Sequence, residues 1–249
     1  VTVMPAPFLR RLSYAPPGEE KGFPFNVPLF TREFEIAFER PITIFCGENG
    51  SGKSTLLETI AKGCGFNPGG GNAHVYASRD DLNDLVESCR FAWLPKTSKG
   101  FFFRAESFFN YATYIDDLAR QFGSRQSYRP YGGKSLHAQS HGESFLSLFA
   151  HRIGGKGVYI FDEPEAALSP MRQLAFLALL REILRSGDSQ IIMATHSPIL
   201  LGYPDSQLLQ IADGAIEPTT LRETEHYIVM RRFLEEPDRY IGDIFSDDL

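Results

Sequence analysis

The apolar positions of this chain change their spacing along its length. Short apolar stretches at Phe8–Leu12, Phe34–Phe38 and Ile42–Phe45 are separated by turns such as Pro16-Pro17-Gly18, and they predict a set of strands. A helix is expected at Lys53–Lys62. Val158–Phe161 and Gln190–Ala194 are further strand candidates. Between them Pro170–Arg185 has amphipathic helical spacing, with Pro170 suited to a first helical position. Strand, helix and strand in this order predict a parallel sheet. In the middle, Asp80–Arg90 and Ala105–Phe122 look helical, whereas Gly123–Gly142 is polar and of low periodicity. Glu223–Leu234 is a last helix candidate. The expected fold class is α/β: one domain over residues 1–249, with a mostly parallel sheet flanked by helices, an N-terminal antiparallel β portion and an inserted helical lobe at about 65–139.

Composition narrows this only slightly. A chain of 249 residues that is 43% hydrophobic can bury one sizeable core with an attached lobe. Its formal charge of −6 gives no overall positive field for nucleic acid, so any such contact has to be local. The local candidate is Arg120–Lys134, where Arg120, Arg125, Arg129 and Lys134 alternate with Tyr128 and Tyr131. Cys46, Cys64 and Cys89 lack CxxC spacing, which argues against a disulfide framework or a zinc site and fits a reducing cytoplasm. No stretch approaches the roughly 20 apolar residues of a membrane span. Val1–Arg10 lacks the pattern of a secretory leader, so a cytoplasmic chain without membrane insertion is expected.

The most informative segment is Gly47-Glu48-Asn49-Gly50-Ser51-Gly52-Lys53-Ser54, followed by Thr55. It matches GxxxxGK[ST], comes directly after an apolar strand and opens a predicted helix. Glycines let successive backbone N–H groups curl around phosphate oxygens, and the helix N-terminus favours negative charge there. Lys53 would face the β- and γ-phosphates of ATP, and the Ser54 hydroxyl would ligate Mg2+.

The strand Val158–Phe161 ends in Asp162 and Glu163, which places two carboxylates at the carboxyl edge of the sheet. Asp162 is the magnesium partner in this reading. Glu163 then orients or deprotonates the attacking water. His196, in Thr195-His196-Ser197-Pro198 after the second strong strand, is placed to hydrogen-bond the γ-phosphate.

In their order, these residues resemble the ABC-type ATPases. Ser140-His141-Gly142-Glu143-Ser144 is similar to that family's Ser-Gly-Gly-Gln signature and opens a predicted helix at Ser144–Ile153, and Ala166-Ala167-Leu168-Ser169 matches its dimer loop. The resemblance covers most of Phe34–Leu201 and implies a homodimer formed on ATP, in which Ser140, Gly142 and Glu143 touch nucleotide bound to the partner chain. His141 departs from the family's first signature glycine. The family's glutamine loop would fall near Phe101–Glu106, where Arg104 or Glu106 stands instead. Phe23, Phe25 and Phe30 compete for the adenine-stacking position.

Asp162–Glu165 and Thr195–Pro198 look more like the soluble SMC-, RecF- and OLD-related branch than like transporter subunits, and they imply a stand-alone AAA-type ATPase. The expectation is ATP hydrolysis coupled to DNA or to a partner protein, in DNA maintenance or defence. The alternatives are the nucleotide-binding subunit of a membrane transporter, or an ATP-binding switch without turnover.

Overall fold

The computed structural model describes residues 5–18, 22–67, 81–129, 133, 135, 146, 149 and 155–246. In chain order its elements begin with β1 (Leu9–Tyr14), β2 (Phe34–Ala37), β3 (Ile42–Cys46), α1 (Lys53–Gly63), α2 (Asp81–Glu87), β4 (Cys89–Trp93) and β5 (Gly100–Arg104). Then come α3 (Ala105–Phe122), α4 (Ser124–Tyr128), β6 (Gly157–Asp162), α5 (Pro170–Arg185), β7 (Ser189–Ala194) and α6 (Pro198–Leu201). The order closes with β8 (Gln207–Ala212), β9 (Ala215–Pro218), α7 (Glu225–Glu235) and α8 (Pro237–Phe245).

Two sheets result. The six-stranded sheet has the order β5-β6-β7-β3-β8-β9 and is parallel except for β9, which returns antiparallel to β8. The tight turn between those two strands is Asp213-Gly214, both residues at positive φ, as a two-residue hairpin with right-handed strand twist requires. The smaller sheet is antiparallel with the order β2-β1-β4. The expected α/β class with an N-terminal antiparallel portion is the observed one.

Every residue of β3, β6 and β7 is buried, because both faces of the large sheet are covered. One face packs Phe45, Ile160, Ile192 and Ala194 against Leu56, Leu57 and Ile60 of α1 and against Leu12 and Ile36 of the antiparallel sheet. The other packs Ile44, Tyr159, Ile191 and Met193 against Leu180 and Ile183 of α5. Here Phe161, Phe176 and Phe149 meet with ring centroids 5.1–5.6 Å apart, tying the helical residue Phe149 to the core.

Two glutamines, the buried Gln190 and the half-buried Gln207, join the sheets. Phe8 N and Leu9 N both donate to Gln190 Oε1 at 2.8 Å, while Gln190 Nε2 donates to Leu9 O. Gln207 accepts from Glu39 N and donates to Ala37 O. Each side chain satisfies strand-edge backbone that would otherwise be left unpaired.

The middle of the chain departs from its expected reading in two places. Helix over Asp80–Arg90 ends at Glu87, and Cys89–Trp93 is a strand whose alternate residues Cys89, Phe91 and Trp93 pack against the first core. Gly100–Arg104 is likewise a strand of the large sheet and not part of a helical lobe. The helical insertion between sheet strands begins at Ala105. No helix among the described residues is long and apolar enough to cross a membrane.

Candidate functional site

β3, β7 and β6 are neighbours, so the loops leaving their carboxyl ends converge. From β3 the chain enters Gly47–Gly52 and then α1. Gly47 has φ +149°, and a Cβ there would lie 2.3 Å from Ile211 O, so only glycine fits. Gly52, at φ +104°, takes the N-cap position of α1. The Lys53 side chain is carried back over the loop, where Nζ donates to Gly47 O at 2.8 Å and to Glu48 O at 2.7 Å. Lys53 is 4% exposed, and burial pushes its pKa down against the opposing pull of Glu163 and Asp162. The buried Ser51 Oγ has no hydrogen-bond partner among the described residues. Beside the loop, Glu48–Ser51 together with Pro28, Gln210 and Asp213 line a cavity of about 420 Å³.

Ser54, in the first turn of α1, donates its hydroxyl to Asp162 Oδ1 at 3.1 Å across the core. Asp162 is 3% exposed. Burial pushes its pKa up to about 7, opposed by Arg104 and the Ser54 hydrogen bond and assisted by Glu163 and Glu58. Arg104, the last residue of β5, brings Nε to 3.6 Å from Asp162 Oδ2 and pairs through Nη1 with the buried Glu58 of α1. A hydroxyl and a carboxylate of this kind, beside a loop of backbone amides, are oxygen donors suited to Mg2+ together with phosphate.

Because Asp162 titrates above its ordinary value near 3.8, the folded protein favours its protonated form. That contribution to stability is present in acid and is lost as pH rises from about 4 to about 7. Asp162→Asn cannot acquire the charge. Its melting temperature relative to the unsubstituted chain should therefore rise by several degrees between pH 5 and pH 8 in the presence of chelator. A difference that shrank over that range would show that Arg104 and Ser54, not burial, govern Asp162.

Glu163 follows at φ +48°, in the left-handed region that a side chain rarely adopts, and its N–H donates to Ala194 O at 3.0 Å. The bend ends β6 and leaves the carboxylate 41% exposed, with Oε1 3.5 Å from His196 Nε2. His196 is fixed from behind: its backbone N donates to Glu165 Oε1 at 2.6 Å, and Nδ1 lies 2.7 Å from His226 Nε2. Burial pushes the His196 pKa down, reinforced by Lys53 and His226 and opposed by Glu163.

The structure thus brings Gly47–Thr55, Asp162, Glu163 and His196 together at one sheet edge. Ser140, Gly142 and Glu143 lie outside the described residues, as does the helix expected at Ser144–Ile153 apart from Leu146 and Phe149, which are helical. Phe25 and Phe30 are core residues, Phe30 packed on Tyr14 and Phe34, while Phe23 is 52% exposed. In the basic segment, Arg120 pairs with Asp117 and the Tyr128 hydroxyl donates to Asp116; Arg125's side chain and Lys134 lie outside the described residues. Glu58 and His226 carry no local signal in the sequence and join the site only through the fold.

A phosphate loop at the end of a central strand, facing an acidic strand end and a histidine, defines a P-loop ATPase. Residues 25–87 match the family described as "AAA domain", and residues 144–202 match "AAA domain, putative AbiEii toxin, Type IV TA system". The cytochrome c biogenesis ATP-binding export protein CcmA of Rhizobium johnstonii is 30% identical over 194 residues, 69% of this chain and 82% of that protein. The molybdenum import ATP-binding protein ModC of Methylococcus capsulatus is 27% identical over 81% of this chain, which spans 60% of ModC. Among solved structures, cbiO1 of Clostridium perfringens, part of the ABC transporter complex cbiONQ, aligns over 96% of this chain and 99% of its own, at 19% identity and a TM-score of 0.47. The chain belongs to the ABC-type P-loop ATPases, which bind and hydrolyse ATP.

Proposed function

We propose that this chain hydrolyses ATP between two copies of itself and passes the resulting motion to a partner assembly. The observation that carries this reading is the Ser54–Asp162 contact with Glu163 and His196 directly beside it. Mg2+, held by Ser54 and Asp162, would neutralise charge on the β- and γ-phosphates. Gly47–Gly52 offers backbone N–H groups and the Ser51 hydroxyl to phosphate oxygens, and Lys53 exchanges its two carbonyl partners for phosphate. Glu163 accepts a proton from the water whose oxygen attacks the γ-phosphorus, and the bond to the bridging oxygen breaks to leave ADP and phosphate. His196 donates from Nε2 to a γ-phosphate oxygen. Ser140, Gly142 and Glu143 approach that phosphate from the second copy.

For the coupling, the relatives matched over most of this chain favour the ATP-binding subunit of an export or import system. A second reading, action on DNA in maintenance or defence, is supported by Arg104, a half-buried ion-paired arginine where the glutamine loop of transporter subunits is expected. Phosphate release with and without added duplex or single-stranded DNA separates them. The transport reading predicts an unchanged rate, whereas several-fold stimulation at physiological salt would overturn it in favour of the second.

A further inference from the structure

The C-terminal helices reach into the site at one point. A 3-10 turn at Leu221–Glu223 is closed by a capping box between Thr220 and Glu223, and the buried Thr224 then starts α7. This fixed entry places Glu225 at the wall of the cavity beside the phosphate loop and turns His226 onto His196. The two rings stand with centroids 4.9 Å apart, and His226 Nε2 is 2.7 Å from His196 Nδ1.

At that separation the nitrogens share one proton, so one ring donates and the other accepts. The far side of His196 decides which. Its Nε2 faces Glu163 Oε1, a carboxylate oxygen that only accepts. With hydrogen on Nδ1 of His196, a bare Nε2 would oppose that carboxylate. With hydrogen on Nε2, the ring points a donor at the carboxylate 3.5 Å away, and Nδ1 is left to accept from His226. Burial lowers the pKa of both rings and so favours neutral imidazoles, for which this choice between tautomers exists.

We propose that His226 is a positioning residue: its Nε2–H donates to His196 Nδ1 and holds His196 in the tautomer that keeps a donor on Nε2, toward Glu163 and the γ-phosphate. The importance of this for turnover rests on the reading of His196 given above; the tautomer itself does not. Beside Glu225 at the cavity wall, α7 thus presents a hydrogen-bond donor to the hydrolytic centre.

Long-range proton–nitrogen NMR of nucleotide-free protein reads the His196 tautomer directly, with His196→Ala identifying its signals. The nitrogen shifts should show hydrogen on Nε2 in the unsubstituted chain. His226→Leu should shift the population toward Nδ1–H and lower kcat about tenfold with KM for ATP little changed. His226→Gln carries an amide N–H that can replace the imidazole donor and should restore both readouts, which a merely structural role for the ring would not do. A His196 tautomer identical in His226→Leu and the unsubstituted chain would overturn the proposal. So would a Gln variant that behaved like Leu in both readouts. Full turnover in His196→Ala would instead remove the phosphate-sensing role of His196, while the NMR comparison would still decide what His226 does.

Discussion

Glu163→Gln is expected to keep ATP binding and to slow phosphate release by about 10²–10⁴-fold, the range for loss of a general base. The geometry separates the two effects. In the proposed mechanism the contacts to phosphate come from Gly47–Lys53 and the metal donors are Ser54 and Asp162, none of which is altered. Glu163 stands apart from them, turned out of the strand by its left-handed backbone and more exposed than Asp162. The amide is isosteric and leaves the hydrogen bond from the Glu163 N–H to Ala194 O in place. With the γ-phosphate retained, the variant should accumulate a dimer on ATP and Mg2+, visible by light scattering. A scattering mass that stays monomeric with saturating ATP and Mg2+ would count against contacts from Ser140, Gly142 and Glu143 across the dimer, even if hydrolysis slows as expected.

Lys53→Ala acts one step earlier and should remove most of the affinity for ATP. Lys53 is a nearly buried cation whose ammonium is met by two backbone carbonyls, an arrangement that stabilises the charge less well than a phosphate would. Burial already depresses its pKa, and Glu163, Asp162 and Glu165 all draw it back up. Removing it leaves those carboxylates without their shared counter-charge, facing a polyphosphate through mostly neutral amides. Titration calorimetry should find binding weakened by at least about tenfold, a loss on the scale of one charge-assisted contact. Unchanged affinity would mean that the phosphates lie elsewhere.

Much of the site was legible because its signals are local. The phosphate loop occupies consecutive residues after one apolar strand, and Asp162, Glu163 and His196 each sit at the end of a strand whose run of apolar residues is plain in the sequence. α3 and α5 were read to within a residue, since amphipathic spacing persists over 18 and 16 residues. The short strands were harder. In β4 only three inward positions, Cys89, Phe91 and Trp93, carry the alternation, and the helix before it ends two residues earlier. β8 and β9 did leave a usable mark in Asp213-Gly214 between Ile211 and Ile216, a hairpin signal absent from the sequence reading. Glu58 and His226 left none. Glu58 is one acid on an amphipathic helix, and His226 is one residue of a charged tail; only the fold, which brings α1 to Arg104 at the end of β5 and α7 to the loop after β7, gives them partners.

The proposed reaction is hydrolysis of ATP at this sheet edge with Glu163 as the base. Phosphate release from ATP and Mg2+ by the purified chain, measured beside Glu163→Gln over a range of protein concentrations, tests it most directly. Release should require Mg2+, rise per chain as concentration favours the dimer, and fall by at least about 10²-fold in the variant. Near-normal release by Glu163→Gln, at any protein concentration, would contradict it.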